Sequence, residues 1–99
     1  MAEESSLVGR WEKCSAGECD RSYPRGVEFF EATYRGTKGA DQGFIVWDAG
    51  IWREEAPGTV RISTASDELV RYTYTLSGAV LTFQDAEGCE FSYHRRDDI

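Results

Sequence analysis

The sequence predicts an all-β domain, an antiparallel meander of about seven to eight short strands closing into a small β-barrel. Three observations predict it. Short stretches rich in Val, Ile, Thr, Phe, Tyr and Trp alternate with turns of Gly, Asp, Ser and Pro. The stretches of the C-terminal half are separated by only a few residues, the loop length of hairpins between antiparallel neighbours. No window sustains the i, i+3, i+4, i+7 apolar spacing of a helix.

Seven stretches are read in order: 7–13, 26–35, 44–53, 59–64, 69–76, 80–84 and 89–95. In the first, Leu7, Gly9 and Trp11 share one face and Val8, Arg10 and Glu12 the other, because successive side chains of a strand point to opposite sides. Val60 and Ile62 face together. Val70, Tyr72, Tyr74 and Leu76 form an inner row, opposed by Arg71, Thr73 and Thr75. Leu81 with Phe83, and Cys89 with Phe91 and Tyr93, complete the inner set, leaving Glu90, Ser92 and His94 on a wet outer face. One wet face suits a single closed sheet, since closure also removes exposed edges. An antiparallel closure needs an even strand count, and segments 36–43 and 15–24 are where an eighth strand fits.

Two stretches depart from simple alternation. Phe29 and Phe30 are adjacent, so one ring leaves the inner face. In 44–53 both parities are apolar, with Phe44, Val46, Gly50 and Trp52 on one side and Ile45, Trp47, Ala49 and Ile51 on the other. With the second set outward, Phe30, Tyr34, Ile45, Trp47 and Ile51 form a contiguous apolar patch of several hundred Å², large enough to demand a cover. That face is the expected interface of a homodimer.

At 99 residues the chain is expected to be one domain, with 1–6 and 97–99 as flexible tails. The charge is −7, from 11 basic and 18 acidic residues. This balance argues against nucleic acid and anionic membranes as partners. No stretch approaches the ~20 apolar residues of a membrane helix, and Met1-Ala2-Glu3-Glu4 is acidic where a secretory signal is basic, so the expected location is cytoplasmic.

Leu7-Val8-Gly9-Arg10-Trp11 near the start of an all-β chain resembles the Gly-x-Trp signature of the lipocalins and other calycins. A second Gly-x-aromatic stands at Gly50-Ile51-Trp52, and the chain closes on Tyr93-His94-Arg95-Arg96. Over most of 7–96 the strand order is similar to that of small bacterial lipocalin-like domains. The resemblance implies that an arginine of the closing strand, Arg95 or Arg96, packs over Trp11 and, with Gly9, seals one end of the barrel. Such a cation–π contact is worth roughly 0.5–2 kcal/mol. It further implies an interior that holds a small apolar or aromatic ligand. The chain departs from the family in its shorter strand list and in lacking a C-terminal helix.

The chemistry of sites is sparse. Cys14, Cys19, Cys89 and His94 superficially suggest zinc. Yet Cys89 and His94 lie roughly 16 Å apart along a strand and on opposite faces, whereas zinc ligands converge at ~2.0–2.3 Å. No metal and no cofactor are expected. A Cys14–Cys19 disulfide is an alternative that needs an oxidising compartment. The single histidine limits nucleophilic catalysis to a pairing with Ser92, about 7 Å away along the strand and beyond hydrogen-bond reach. The chain is therefore not expected to be an enzyme. Glycine-rich 36–43 matches no phosphate loop and reads as a mobile connection at a barrel mouth. Asp48 shares the parity of Trp52 and is a candidate polar handle inside the barrel, the alternative being an outward, turn-bonded carboxylate.

Two functions follow. The first is non-catalytic binding of a small apolar ligand inside the barrel by Trp11, Phe29, Asp48, Trp52, Tyr72, Tyr74, Phe83 and Tyr93. The second is a protein–protein module or homodimer with a filled barrel, using the outer Phe30, Trp47 and Ile51 face.

Overall fold

A computed structural model describes residues 7–14, 17, 19, 21–40 and 42–96, and the expected tails lie outside the described residues. The strands are β1 (Gly9–Lys13), β2 (Gly26–Phe29), β3 (Thr33–Thr37), β4 (Ala49–Ala56), β5 (Thr59–Ser63), β6 (Leu69–Ser77), β7 (Val80–Gln84) and β8 (Glu90–Arg95). Each pairs antiparallel with its neighbour in sequence, and β8 returns to β1, so the eight form a closed barrel. The described residues contain no helix.

Among the described residues of 15–24 there is no strand, and 36–43 contributes only its first two residues, as the end of β3. The eighth strand comes from division of the stretch 26–35. Phe30 N–H donates to Thr33 O at 2.8 Å, turning the chain back so that Phe29 faces Tyr34 across the β2–β3 pair. Paired residues share a face. The turn therefore brings Tyr34 to the inner side with Phe29, where an unbroken strand would have sent it outward.

The stretch 44–53 is likewise not one strand. β4 begins only at Ala49. Before it, 44–48 crosses one end of the barrel, held by Val46 N–H to Ser22 O at 2.8 Å, Ala65 N–H to Val46 O at 2.7 Å and Gly36 N–H to Asp48 O at 2.7 Å. Period-2 alternation does not apply to such a segment, and it directs Trp47 into the lumen. The crossing is tight. A Cβ on Gly36 would lie 1.9 Å from Trp47 O, so only glycine admits this approach.

The remaining parities stand as predicted. Trp11, Val60, Ile62, Tyr72, Leu81, Phe83, Cys89, Phe91 and Tyr93 are buried, and Glu90 and His94 are exposed. The barrel thus has two distinct ends. One carries the start of β1 and the end of β8. The other carries the crossing segment and the loop that joins β1 to β2.

Candidate functional site

At the first end, Trp11 is 1 % exposed and the Arg95 guanidinium carbon lies 4.3 Å from its ring centroid. Trp11 and Arg95 are direct partners across β1 and β8. Arg95 Nη1 donates to Val8 O at 3.1 Å, and Trp11 Nε1 to Leu7 O at 2.8 Å. Gly9 has φ +137°, and a Cβ there would sit 2.5 Å from Arg95 Nη1. Gly9, Trp11 and Arg95 therefore form one lock. Arg96 is not part of it. It lies on the outer face, 3.7 Å from Glu12.

In the lumen, Phe29, Trp52, Tyr72, Phe83 and Tyr93 come together as expected, all at most 5 % exposed. Trp47 occupies the space they surround. Its ring centroid lies 5.1 Å from those of Tyr23 and Phe83, 5.2 Å from Tyr72, 5.5 Å from Phe91, 6.4 Å from Tyr93 and 6.5 Å from Tyr34. These are the separations of packed aromatic pairs. Tyr23 stacks on Phe91 at 3.8 Å and further fills the crossed end.

Polar atoms in this core are engaged with each other. Trp47 Nε1 donates to Tyr72 Oη at 3.2 Å, Tyr93 Oη to Pro24 O at 2.6 Å, and Tyr34 Oη to Ser63 O at 2.5 Å. Trp52 Nε1 donates to Phe30 O at 2.9 Å, and Tyr23 Oη to Asp85 Oδ2 at 3.0 Å. Among the described residues, every fully buried side-chain N or O atom has a partner. Burial is the main cause that raises the pKa of Tyr23, Tyr34 and Tyr72 above the ordinary phenol value. Tyr74, half-buried and bonded to Glu54, is pushed up to about 12 by burial and then by that carboxylate.

Two expectations are corrected here, and the cysteine alternative is decided. Asp48 is exposed and its Oδ1 accepts from Ala49 N–H at 2.7 Å, a local turn bond rather than a handle in the lumen. Tyr34, Ile45 and Trp47 are buried, so the outer apolar interface does not form, and of its members only Phe30 (43 %) and Ile51 (56 %) are exposed. Cys19 pairs with Cys89, 70 residues away, and not with Cys14, which is a free, exposed thiol. The bridge removes two of the four zinc candidates. Among the described residues no group of His, Cys, Asp and Glu is arranged to hold a metal ion.

Sequence reasoning missed Tyr23, Gln42 and Asp85, all in loops where periodicity carries no signal. Gln42 Oε1 accepts from Arg25 N–H at 3.1 Å and Gly39 N–H at 2.8 Å, while its Nε2 donates to Arg21 O at 3.0 Å and Tyr23 O at 2.7 Å. This clamp ties the glycine-rich connection to the loop before β2. Asp85 Oδ1 accepts from the N–H groups of Glu87 and Cys89, each at 2.9 Å, which fixes the turn bearing the disulfide. Asp85-x-x-Gly88 is a turn signature that could have flagged it.

Open clefts lie outside the wall among the described residues. One, of about 320 Å³, sits over Gly26 on the β1–β3 face, where Arg10 is 3.5 Å from Glu28. Another, of about 550 Å³, lies over Arg61, Arg71, Thr73 and Gln84. Among the described residues, no helix is long and apolar enough to cross a membrane. Comparison with protein-family models, curated proteins and solved structures finds no match.

Proposed function

We propose that this chain is a non-catalytic interaction module, a lipocalin-like barrel with a filled lumen that meets a partner protein through its outer wall. The observation that carries this reading is the position of Trp47. A ligand-carrying barrel leaves its centre open and presents a few unsatisfied polar groups there. Here an indole stands at the centre, six aromatic rings pack around it, and the buried polar atoms bond one another. The lock of Gly9, Trp11 and Arg95 supports the likeness to calycins. The chain's single histidine, His94, is exposed on the outer face of β8 and away from the lumen, which supports a role without catalysis. The Cys19–Cys89 bridge favours an oxidising compartment over the cytoplasm.

The test is a titration of the intact, oxidised protein with apolar probes (indole, a fluorescent fatty acid, anilinonaphthalene sulfonate), read by tryptophan fluorescence and by melting temperature. The expected result is no saturable binding tighter than about 1 mM, a free energy below roughly 4 kcal/mol. One-to-one binding that quenches the buried indoles and raises the melting temperature would return the function to the lumen.

A further inference from the structure

The outer face of β4, β5 and β6 gathers positive charge in a way the barrel's own stability does not call for. Arg53 on β4 is the direct partner of Arg61 on β5, and Arg61 is the direct partner of Arg71 on β6. Side chains opposite one another on adjacent strands have Cβ atoms only about 4.5–5.5 Å apart, where like charges destabilise a sheet. The row stands in a chain with 11 basic residues against 18 acidic ones. One carboxylate on this face serves it. Glu55 accepts from Arg61 Nε at 2.5 Å and from Arg71 Nε at 3.1 Å. Glu55 thus holds Arg61 and Arg71 by their Nε groups, a carboxylate contact of the kind guanidinium matches best, and one acid stands against three arginines. The hydrogen bond from Arg61, with the charges of Arg71 and Arg53 nearby, holds the Glu55 carboxyl below its usual range.

Beside the arginine row runs an aliphatic one. Ile51 precedes Arg53 by two residues and Leu69 precedes Arg71 by two, on the same face, 56 % and 38 % exposed. Ser63 lies between them, paired with Leu69 and accepting the Ile51 N–H at 3.0 Å. On the opposite flank, Thr73 and Gln84 continue the 550 Å³ cleft and offer neutral donors, while Asp85 at its rim is bonded to Tyr23 and to the N–H groups of Glu87 and Cys89. A charged row and an aliphatic row about 6.6 Å apart, two residues along each strand, frame a shallow track across the sheet.

We propose that this track docks an extended acidic peptide segment of a partner protein. Its carboxylates meet Arg53, Arg61 and Arg71, and its alternate aliphatic side chains meet Ile51 and Leu69. An extended peptide laid across the strands sends successive side chains to opposite sides, one set to each row. The long arginine stems absorb the difference between its repeat and the strand spacing. A densely charged polyanion fits less well, because a net charge of −7 repels it and a phosphate chain has nothing to place on the aliphatic row. At physiological salt, screening over about 8 Å lets a short peptide feel the local arginines more than the distant acids.

The inference rests on the interaction-module reading, and its test separates the two. A short fluorescein-labelled peptide alternating Glu and Ile is titrated with the intact, disulfide-bonded chain by anisotropy, beside a matched Lys/Ile peptide. The Glu/Ile peptide is expected to bind saturably and to weaken as salt is raised, and the Lys/Ile peptide is expected not to bind. The double variant Arg53→Glu, Arg71→Glu changes two exposed side chains, is expected to melt within a few degrees of the parent, and should bind about tenfold or more weakly. Equal binding of both peptides, an unaffected double variant, or no saturation by the Glu/Ile peptide overturns the proposal. So does binding through these arginines only to heparin or to phosphatidylserine vesicles. If the peptide fails while apolar probes still find no lumen site, the module reading stands and its contact face lies elsewhere. If apolar probes enter the lumen, the module reading fails by itself.

Discussion

Trp47→Ala turns the filled lumen into a measurable quantity. The indole is fully buried and has six ring neighbours within 6.5 Å, held by strands of a closed sheet that cannot collapse freely onto the space. Truncating a buried tryptophan to alanine costs about 3–5 kcal/mol, and limited relaxation places this site in the upper part of that range. The change also removes one hydrogen bond of the Tyr72 hydroxyl, which accepts the indole N–H at 3.2 Å and keeps its bond to Tyr23. With an unfolding entropy near 2.1 cal/mol/K per residue, 99 residues give about 0.2 kcal/mol/K, so a loss of 4 kcal/mol lowers the melting temperature by roughly 20 °C. The vacated site is shaped for indole. Added at a hundred times its dissociation constant, indole returns about 2.7 kcal/mol, or roughly 13 °C. Near-UV circular dichroism during a thermal ramp, with and without indole, reads both numbers. A loss under about 5 °C, or an equal indole-induced rise in the unmodified protein, would mean that Trp47 does not plug a closed interior.

Other outcomes follow from single features. Reducing the Cys19–Cys89 bridge, or replacing Cys89 with Ser, releases a 70-residue closure worth about 4 kcal/mol of chain entropy, and should shift the denaturant midpoint accordingly. Thiol titration of the oxidised, unfolded protein should find Cys14 alone, and three reactive thiols would refute the bridge. Gly9→Ala places a methyl 2.5 Å from Arg95 Nη1 at a φ that favours glycine, and should cost about 1–3 kcal/mol. Arg95→Ala should change Trp11 emission and make the Gly9→Ala penalty smaller, and additive losses would deny the lock. Tyr23, Tyr34 and Tyr72 have pKa values raised in the fold, so above about pH 10 the unfolded chain loses phenol protons that the native state keeps. Stability is therefore full below pH 10 and falls as pH rises beyond it, by about 1.4 kcal/mol per pH unit for each such group. Tyrosinate absorbance that rises in the native protein at pH 10, ahead of unfolding, would contradict their burial.

Alternation made most of the barrel readable. Where a strand is regular, as from Val60 to Ile62, from Tyr72 to Tyr74, or from Phe91 to Tyr93, parity alone assigned the inner side chains. It failed at the two places where the chain leaves extended geometry. A turn at Phe30 converts an odd separation between Phe29 and Tyr34 into a shared face. The crossing of 44–48 replaces strand pairing with scattered bonds to Ser22, Gly36 and Ala65, so Ile45 and Trp47 follow the path of the backbone rather than its pleat. Both failures exchange inside for outside, and together they turned a plug into an apparent interface. The disulfide was illegible for another reason. Cys19 and Cys89 meet only because β8 returns to β1, a closure that local sequence does not encode.

The two ends of the barrel are fastened by different physics, and this bears on where binding can occur. Arg95 at one end ties the first strand to the last by stacking on Trp11 and by a bond to Val8 O. At the other, Gln42 joins two loops through four hydrogen bonds, and the Cys19–Cys89 bond fastens the β1–β2 connection to the start of β8. A ligand bound for the lumen would have to open one end and displace Trp47, losing several kcal/mol of packing before making any contact of its own. The outer wall demands no such opening. Arg53, Arg71, Ile51 and Leu69 are already exposed on strands held rigid by closure, so a partner contacting them spends little of its interaction energy on ordering the barrel. Sealing the inside and rigidifying the outside are consequences of one closure, and both favour recognition on the wall.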